Sequence, residues 1–174
     1  AARSSGKVIG GHYPSPDFGK EFHAYLAGGP QDDHEGTSTE GAIARARQGM
    51  KVMMRYGSSW HDVASQVKAI TKSGLSTRNF LLCTDDSHSE TLYREGHMNR
   101  VVRHAISEGL DPIIALQLAT INTAEHFGVS QDMGMIAPGR YADIVLVKDL
   151  RDFKAERVIA KGVEAVKEGQ WLID

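Results

Sequence analysis

Up to about residue 128, short continuous apolar runs alternate with apolar residues at helical spacing. Lys7-Val8-Ile9-Gly10-Gly11-His12 reads as a short buried strand ending in a histidine, and Tyr13-Pro14-Ser15-Pro16 breaks it. A helix is expected from Phe18 to Leu26, closed by Gly28-Gly29-Pro30. Asp32-Asp33-His34-Glu35-Gly36 is too polar for a core strand and reads as a strand tip or loop. Thr37-Ser38-Thr39-Glu40 fits a capping box that opens a second helix, ending near Gly49. Met50 to Tyr56 follows as a candidate strand.

Ser59 is the expected start of the next helix, with Trp60, Val63, Val67 and Ile70 on one face and Gly74 as its stop. Asn79-Phe80-Leu81-Leu82-Cys83-Thr84 is apolar throughout its centre, as in a strand covered on both faces, and ends in Asp85-Asp86. Met98, Val101, Val102, Ala105 and Ile106 keep helical spacing. Asp111-Pro112 begins another helix, and a shorter one spans residues 122–128. Beyond Gly134 only short strand candidates remain, at residues 141–147 and 158–160 and in the tail to Ile173.

The alternation predicts an α/β fold with a parallel sheet, either doubly wound or part of a (β/α)8 barrel. It supplies about four βα units, and a whole barrel takes about 250 residues. The 174 residues therefore account for about half a barrel, or for an open sheet standing alone.

Bulk chemistry narrows the function classes. With 24% charged residues and a formal net charge of -2, there is no sign of disorder or of a nucleic-acid footprint. The single cysteine, Cys83, excludes an internal disulfide framework and fits a reduced, cytoplasmic setting. No apolar run approaches the ~20 residues of a membrane span, and the first residues lack a secretory pattern.

Metal-binding side chains fall at the C-terminal ends of three strand-like segments: His12, His34-Glu35 and Asp85-Asp86. That end of a parallel sheet is where sites are built, and imidazole with carboxylate suits Zn, Fe or Mn. Each also has a plainer reading. His12 after two glycines suits a turn, and His34-Glu35 before a helix suits capping and solvated charge. The Asp pair is the strongest, because a carboxylate closing a buried strand must be paired, coordinated or exposed. His97, at the head of a helix just after that pair, could reach the same place.

Gly11-His12-Tyr13-Pro14, Asp33-His34-Glu35, Thr84-Asp85-Asp86 and Glu95-Gly96-His97, in that order, resemble the adenine deaminases of the amidohydrolase superfamily. Residues 111–125 and 134–145 are similar to stretches found across the superfamily. The resemblance implies the second half of a TIM-type barrel over residues 1–130, with part of a small β-sandwich domain over 131–174. It implies that His12 and His34 serve one metal, and that Asp85 binds the other and acts as the base. Glu35 is then a candidate for proton transfer, and Asp86 and His97 for substrate binding. The cofactor would be a binuclear divalent centre, Mn or Fe(II), with Zn as an alternative.

The family's His-x-His pair occurs nowhere in the 174 residues, so a missing N-terminal half is expected as partner and the chain alone is expected to be inactive. The implied reaction is hydrolysis of adenine, a small purine base, to hypoxanthine and ammonia. Self-association is also expected; nucleic acid and membrane are not expected as partners. Alternatives are another amidohydrolase acting on cyclic amides or acyl groups, or a non-catalytic half-barrel module.

Overall fold

The computed structural model describes residues 2–173. Its elements are α1 (Lys20–Ala27), β1 (Asp32–Asp33), α2 (Thr39–Arg47), β2 (Lys51–Arg55), α3 (Val63–Gln66), α4 (Lys68–Thr71) and β3 (Phe80–Cys83). Then come α5 (Ser89–Arg94), α6 (Met98–Ser107), α7 (Pro112–Ala119), α8 (Ile121–His126), β4 (Ile144–Val147), β5 (Ala155–Ala160), β6 (Val163–Lys167) and β7 (Gln170–Trp171). Strands β1-β2-β3 form a parallel sheet in that order, with Asp33 opposite Val52 and Arg55 opposite Cys83. Strands β4-β5-β6-β7 form a separate antiparallel meander.

Side chains alternate along a strand, and the core follows that alternation. Val52 and Met54 of β2 and Phe80 and Leu82 of β3 pack into a buried cluster with Ala42, Val63, Val67, Val101, Val102, Ala105, Ala115 and Leu118 from the helices. Burying an aliphatic or aromatic side chain of this size contributes about 1.5–3 kcal/mol. Lys51, Met53 and Arg55 take the other face of β2. A second, smaller cluster of Tyr13, Phe22 and Met50 seats α1 beside the sheet. Asp111 caps α7 as the sequence suggests: its Oδ1 accepts from the amides of Ile113 and Ile114, with Pro112 in the first turn. No helix among the described residues is long and apolar enough to cross a membrane.

Four local expectations are corrected. Residues 7–12 form no strand, because the amides of Ile9, Gly11 and His12 are taken by the side chains of Gln31, Asp32 and Tyr25 rather than by a neighbouring backbone. The parallel sheet consequently has three strands among the described residues, not four. Asp32 and Asp33, read as too polar for a core strand and as a strand tip or loop, are the strand β1, and both are buried.

The cap of α2 is Ser38, whose Oγ accepts from the amide of Gly41. Gly41 therefore holds the third helical position, and Glu40, one residue earlier, is out of register for a capping box. The helix expected from Ser59 starts at Val63. Residues 57–59 are instead tied down by the amides of Ser58 and Ser59, which donate to the backbone and side chain of Asp86, and by the amide of Gly57, which donates to Trp60. Trp60 is left 53% exposed.

Candidate metal centre

The two carboxylates of β1 build a platform for the segment that carries His12. Asp33 accepts from the Tyr13 amide at 2.8 Å through Oδ1 and from Arg45 Nε at 2.5 Å through Oδ2. Arg45 closes the loop by donating from Nη2 to the Tyr13 carbonyl at 2.6 Å. Asp32 accepts from the Gly11 amide and pairs with His126 Nε2 at 2.7 Å. The backbone at Gly11 passes so close that a Cβ there would lie 2.4 Å from the Asp32 carbonyl oxygen. This contact explains the glycine before His12.

That platform brings His12 to His34. Their rings meet edge-on with centroids 4.2 Å apart. Glu35 Oε1 lies 3.1 Å from His12 Nδ1 and 3.6 Å from His34 Nε2. One ligand-type atom from each of His12, His34 and Glu35 falls within 4.8 Å of the others. His12 is 70% exposed, so the cluster is open to solvent.

Asp85 stands one step away. Arg55, ending the middle strand β2, donates from Nη1 to Asp85 Oδ2 at 2.9 Å and lies 3.3 Å from Glu35 Oε2. Its Nε donates to Asp62 Oδ2 at 2.6 Å, and its guanidinium lies 4.7 Å from the Trp60 ring centre. The Arg55 side chain is only 2% exposed. Burial works against its charge, but hydrogen bonds to Asp62 and Asp85 outweigh that, and its pKa stands above the ordinary value. Asp85 adopts a left-handed backbone, φ 61°, which Asp tolerates better than most residues.

The remaining sequence candidates are placed differently. Asp86 Oδ2 accepts from the Ser59 amide at 2.7 Å, which ties Asp86 to the loop after β2. Burial pushes its pKa up, but the hydrogen bonds from Ser59 prevail and lower it. His97 is exposed at the head of α6, and among the described residues it shares none of the contacts that join His12, His34, Glu35 and Asp85. Cys83 sits beneath Asp85, and burial, reinforced by that carboxylate, pushes its thiol up to about 12, as expected of an inert core thiol. A cavity of about 240 Å³ lined by Gln31, Lys51 and His126 lies at the opposite, N-terminal end of the strands and touches none of the cluster.

The donor set fits a divalent cation. Two imidazoles and a carboxylate are ligands suited to Zn, Fe or Mn. Glu35, Asp62 and Asp85 are three formal negative charges around the one guanidinium of Arg55, leaving two uncompensated.

Arg55, Asp62 and Arg45, and the supporting role of Asp32 and Asp33, are not marked out for the site by local spacing in the sequence. A signal existed for the first: an arginine closing the apolar run 52–54, at the same strand end as the other candidates.

Comparison with known proteins supplies the remaining context. The sequence profile of the amidohydrolase family matches residues 35–165. Adenine deaminase 3 of Rhizobium meliloti strain 1021 is 60% identical over all 174 residues, and the adenine deaminase of Moorella thermoacetica is 47% identical over the same span. The chain spans 29% of the length of each of these curated relatives.

Among solved structures, a β-aspartyl dipeptidase of Fervidobacterium islandicum AW-1 superposes with a TM-score of 0.73 at 19% identity, covering 99% of this chain and 51% of that one. At that identity the likeness concerns the fold: an arc of a (β/α)8 barrel followed by a small β sheet.

Proposed function

Because the chain belongs to the amidohydrolase family, we propose that it supplies one part of the active site of a metal-dependent adenine deaminase. The observation that carries this reading is 60% identity to an adenine deaminase along the whole chain, joined to a cluster of His12, His34 and Glu35 at the strand ends. In this reading residues 1–130 belong to the barrel and 131–174 to the small β domain. His12, His34 and Asp85 would hold divalent ions, Mn or Fe(II) before Zn, in a binuclear centre completed by ligands from outside these residues. Such ions lower the pKa of water and supply hydroxide at neutral pH.

The chain's own residues handle the protons. Glu35 delivers one at N1 of the purine, which makes C6 electrophilic. Asp85 takes the proton of the attacking hydroxide and passes it to the departing amine, so that ammonia leaves and hypoxanthine remains, while the proton released when water ionises restores Glu35. Positioned acid–base groups of this kind contribute about 10²–10⁴-fold. Asp86 and His97 are assigned to the edge of the purine. The single cysteine, Cys83, fits a cytoplasmic setting.

The test is a hybrid enzyme in which this chain replaces the matching segment of the Rhizobium meliloti relative. The hybrid, loaded with Mn, should release ammonia from adenine. Asp85→Asn should cut turnover at least about 100-fold without preventing assembly. A folded, metal-loaded hybrid that ignores adenine and opens cyclic amides would replace this reading with another amidohydrolase activity. The chain by itself should release no ammonia, since in this reading it offers His12 and His34 to one ion and Asp85 alone to the other, whereas a catalytic metal usually needs about three protein ligands and an open position.

A further inference from the structure

Among the described residues Arg55 is the one buried cation that touches both carboxylates given acid–base roles above, and its contacts divide the oxygens of Glu35. Oε2 faces Arg55 Nη1 at 3.3 Å, while Oε1 faces His12 and His34. At Asp85, Oδ2 is taken by the same Nη1 at 2.9 Å. Asp62 in turn holds Arg55 Nε at 2.6 Å, so the guanidinium plane is fixed from behind. The strand order explains the arrangement. Arg55 ends the central strand, with Glu35 just past the end of β1 on one side and Asp85 just past the end of β3 on the other.

We propose that Arg55 is a positioning residue that occupies one oxygen of Glu35 and one of Asp85, leaving the second oxygen of each for the reacting groups. This rests on the deaminase reading for the roles of Glu35 and Asp85, but not for the geometry. Without the guanidinium each carboxylate can turn and offer both oxygens to a cation, and a neighbouring positive charge is gone. Cation binding then holds or tightens while proton transfer fails. A residue that merely supports the local structure gives the opposite pattern, in which metal, turnover and thermal midpoint fall together.

The experiment uses the hybrid enzyme with Arg55→Gln and Arg55→Lys, stripped of metal and titrated with Mn(II). For Arg55→Gln the Mn(II) affinity should equal the parent's or rise by up to about tenfold, since in solvent-open surroundings a neighbouring unit charge opposes a cation by no more than about that factor. Its kcat for adenine should fall about 100-fold, with KM changed less than about threefold, as expected when an oriented proton-transfer group is lost. Arg55→Lys keeps the charge but offers one nitrogen, which cannot hold Asp62 from behind while reaching Glu35 and Asp85. It should bind Mn(II) like the parent and recover little of kcat, and it serves as the folded variant if Arg55→Gln does not assemble.

Mn(II) affinity at least tenfold weaker in a folded variant would overturn the proposal, and so would full activity in Arg55→Lys. If the parent hybrid is inert toward adenine, the deaminase reading fails, and the Mn(II) titration still decides the role of Arg55.

Discussion

Two arginine–carboxylate pairs in this molecule have the same contact length and different surroundings. Arg45 Nε to Asp33 Oδ2 and Arg157 Nε to Glu164 Oε1 both measure 2.5 Å. The first is sealed under the parallel sheet, with side chains 1% and 0% exposed; the second lies on the antiparallel sheet at 47% and 32%. Arg45 also donates to the carbonyls of Gly41 and Tyr13, so its desolvated charge is well satisfied. Arg157 and Glu164 have water available as an alternative partner. Contact length therefore says little about what a pair does. Breaking a buried pair by removing one member strands a charge and costs about 3–5 kcal/mol, whereas exposed pairs contribute close to nothing. In this fold the buried pair also aims a site, since Asp33 and Arg45 between them hold both polar groups of the Tyr13 backbone, next to His12.

The largest effect should come from Arg45→Met in the hybrid enzyme. Losing one partner of the sealed pair should lower stability by about 3–5 kcal/mol. Calorimetry would read this as a large drop in the thermal midpoint, and a negligible shift would break the comparison. Replacing both members, Arg45→Met with Asp33→Leu, should restore much of the stability. Affinity for Mn(II) should still be impaired, because the Tyr13 amide has lost its acceptor.

Gly57→Ala comes next. Its Cβ would lie 2.1 Å from Asp86 Oδ1 and 2.5 Å from the Asp86 carbonyl oxygen, so the loop after β2 or the end of β3 has to move. Overpacking of this kind costs about 1–3 kcal/mol. Turnover should fall more than stability, because Asp85 adjoins the displaced residue. Smallest of all, Arg157→Ala should leave the thermal midpoint unchanged at low and high salt alike. A clear shift would mean that the exposed sheet relies on its ion pairs.

Elements whose hydrophobic pattern is complete within a few residues were legible in the sequence. Phe80–Cys83 was read from its apolar run, and the Asp111-Pro112 signal located the start of α7 to the residue. Failures arose where distant side chains take over the backbone. Residues 7–12 have the composition of a strand, yet the side chains of Tyr25, Gln31 and Asp32 claim three of their amides. Trp60 has helical spacing from Val63, but the end of β3 pulls residues 58–59 into a loop.

The site was half legible for the same reason. His12, His34, Glu35 and Asp85 announce themselves by residue type, the last three just past a strand end and His12 in an irregular segment, and the structure brings the first three directly together. Their link to Asp85 through Arg55 depends on strand order, which local spacing does not encode.

The central strand β2 can be compared to a line of text read in a fixed frame. Lys51, Met53 and Arg55 occupy one side, Val52 and Met54 the other, and a shift by a single residue exchanges the sides. One amino acid inserted inside the strand would turn Arg55 toward the helices and set a methionine between Glu35 and Asp85. Point substitutions alter one letter and leave the frame intact. Changes of length are therefore tolerable only outside the strand, for example in the exposed turn at residues 72–74, where gains and losses can accumulate without disturbing the order in which the three strand ends present their charges.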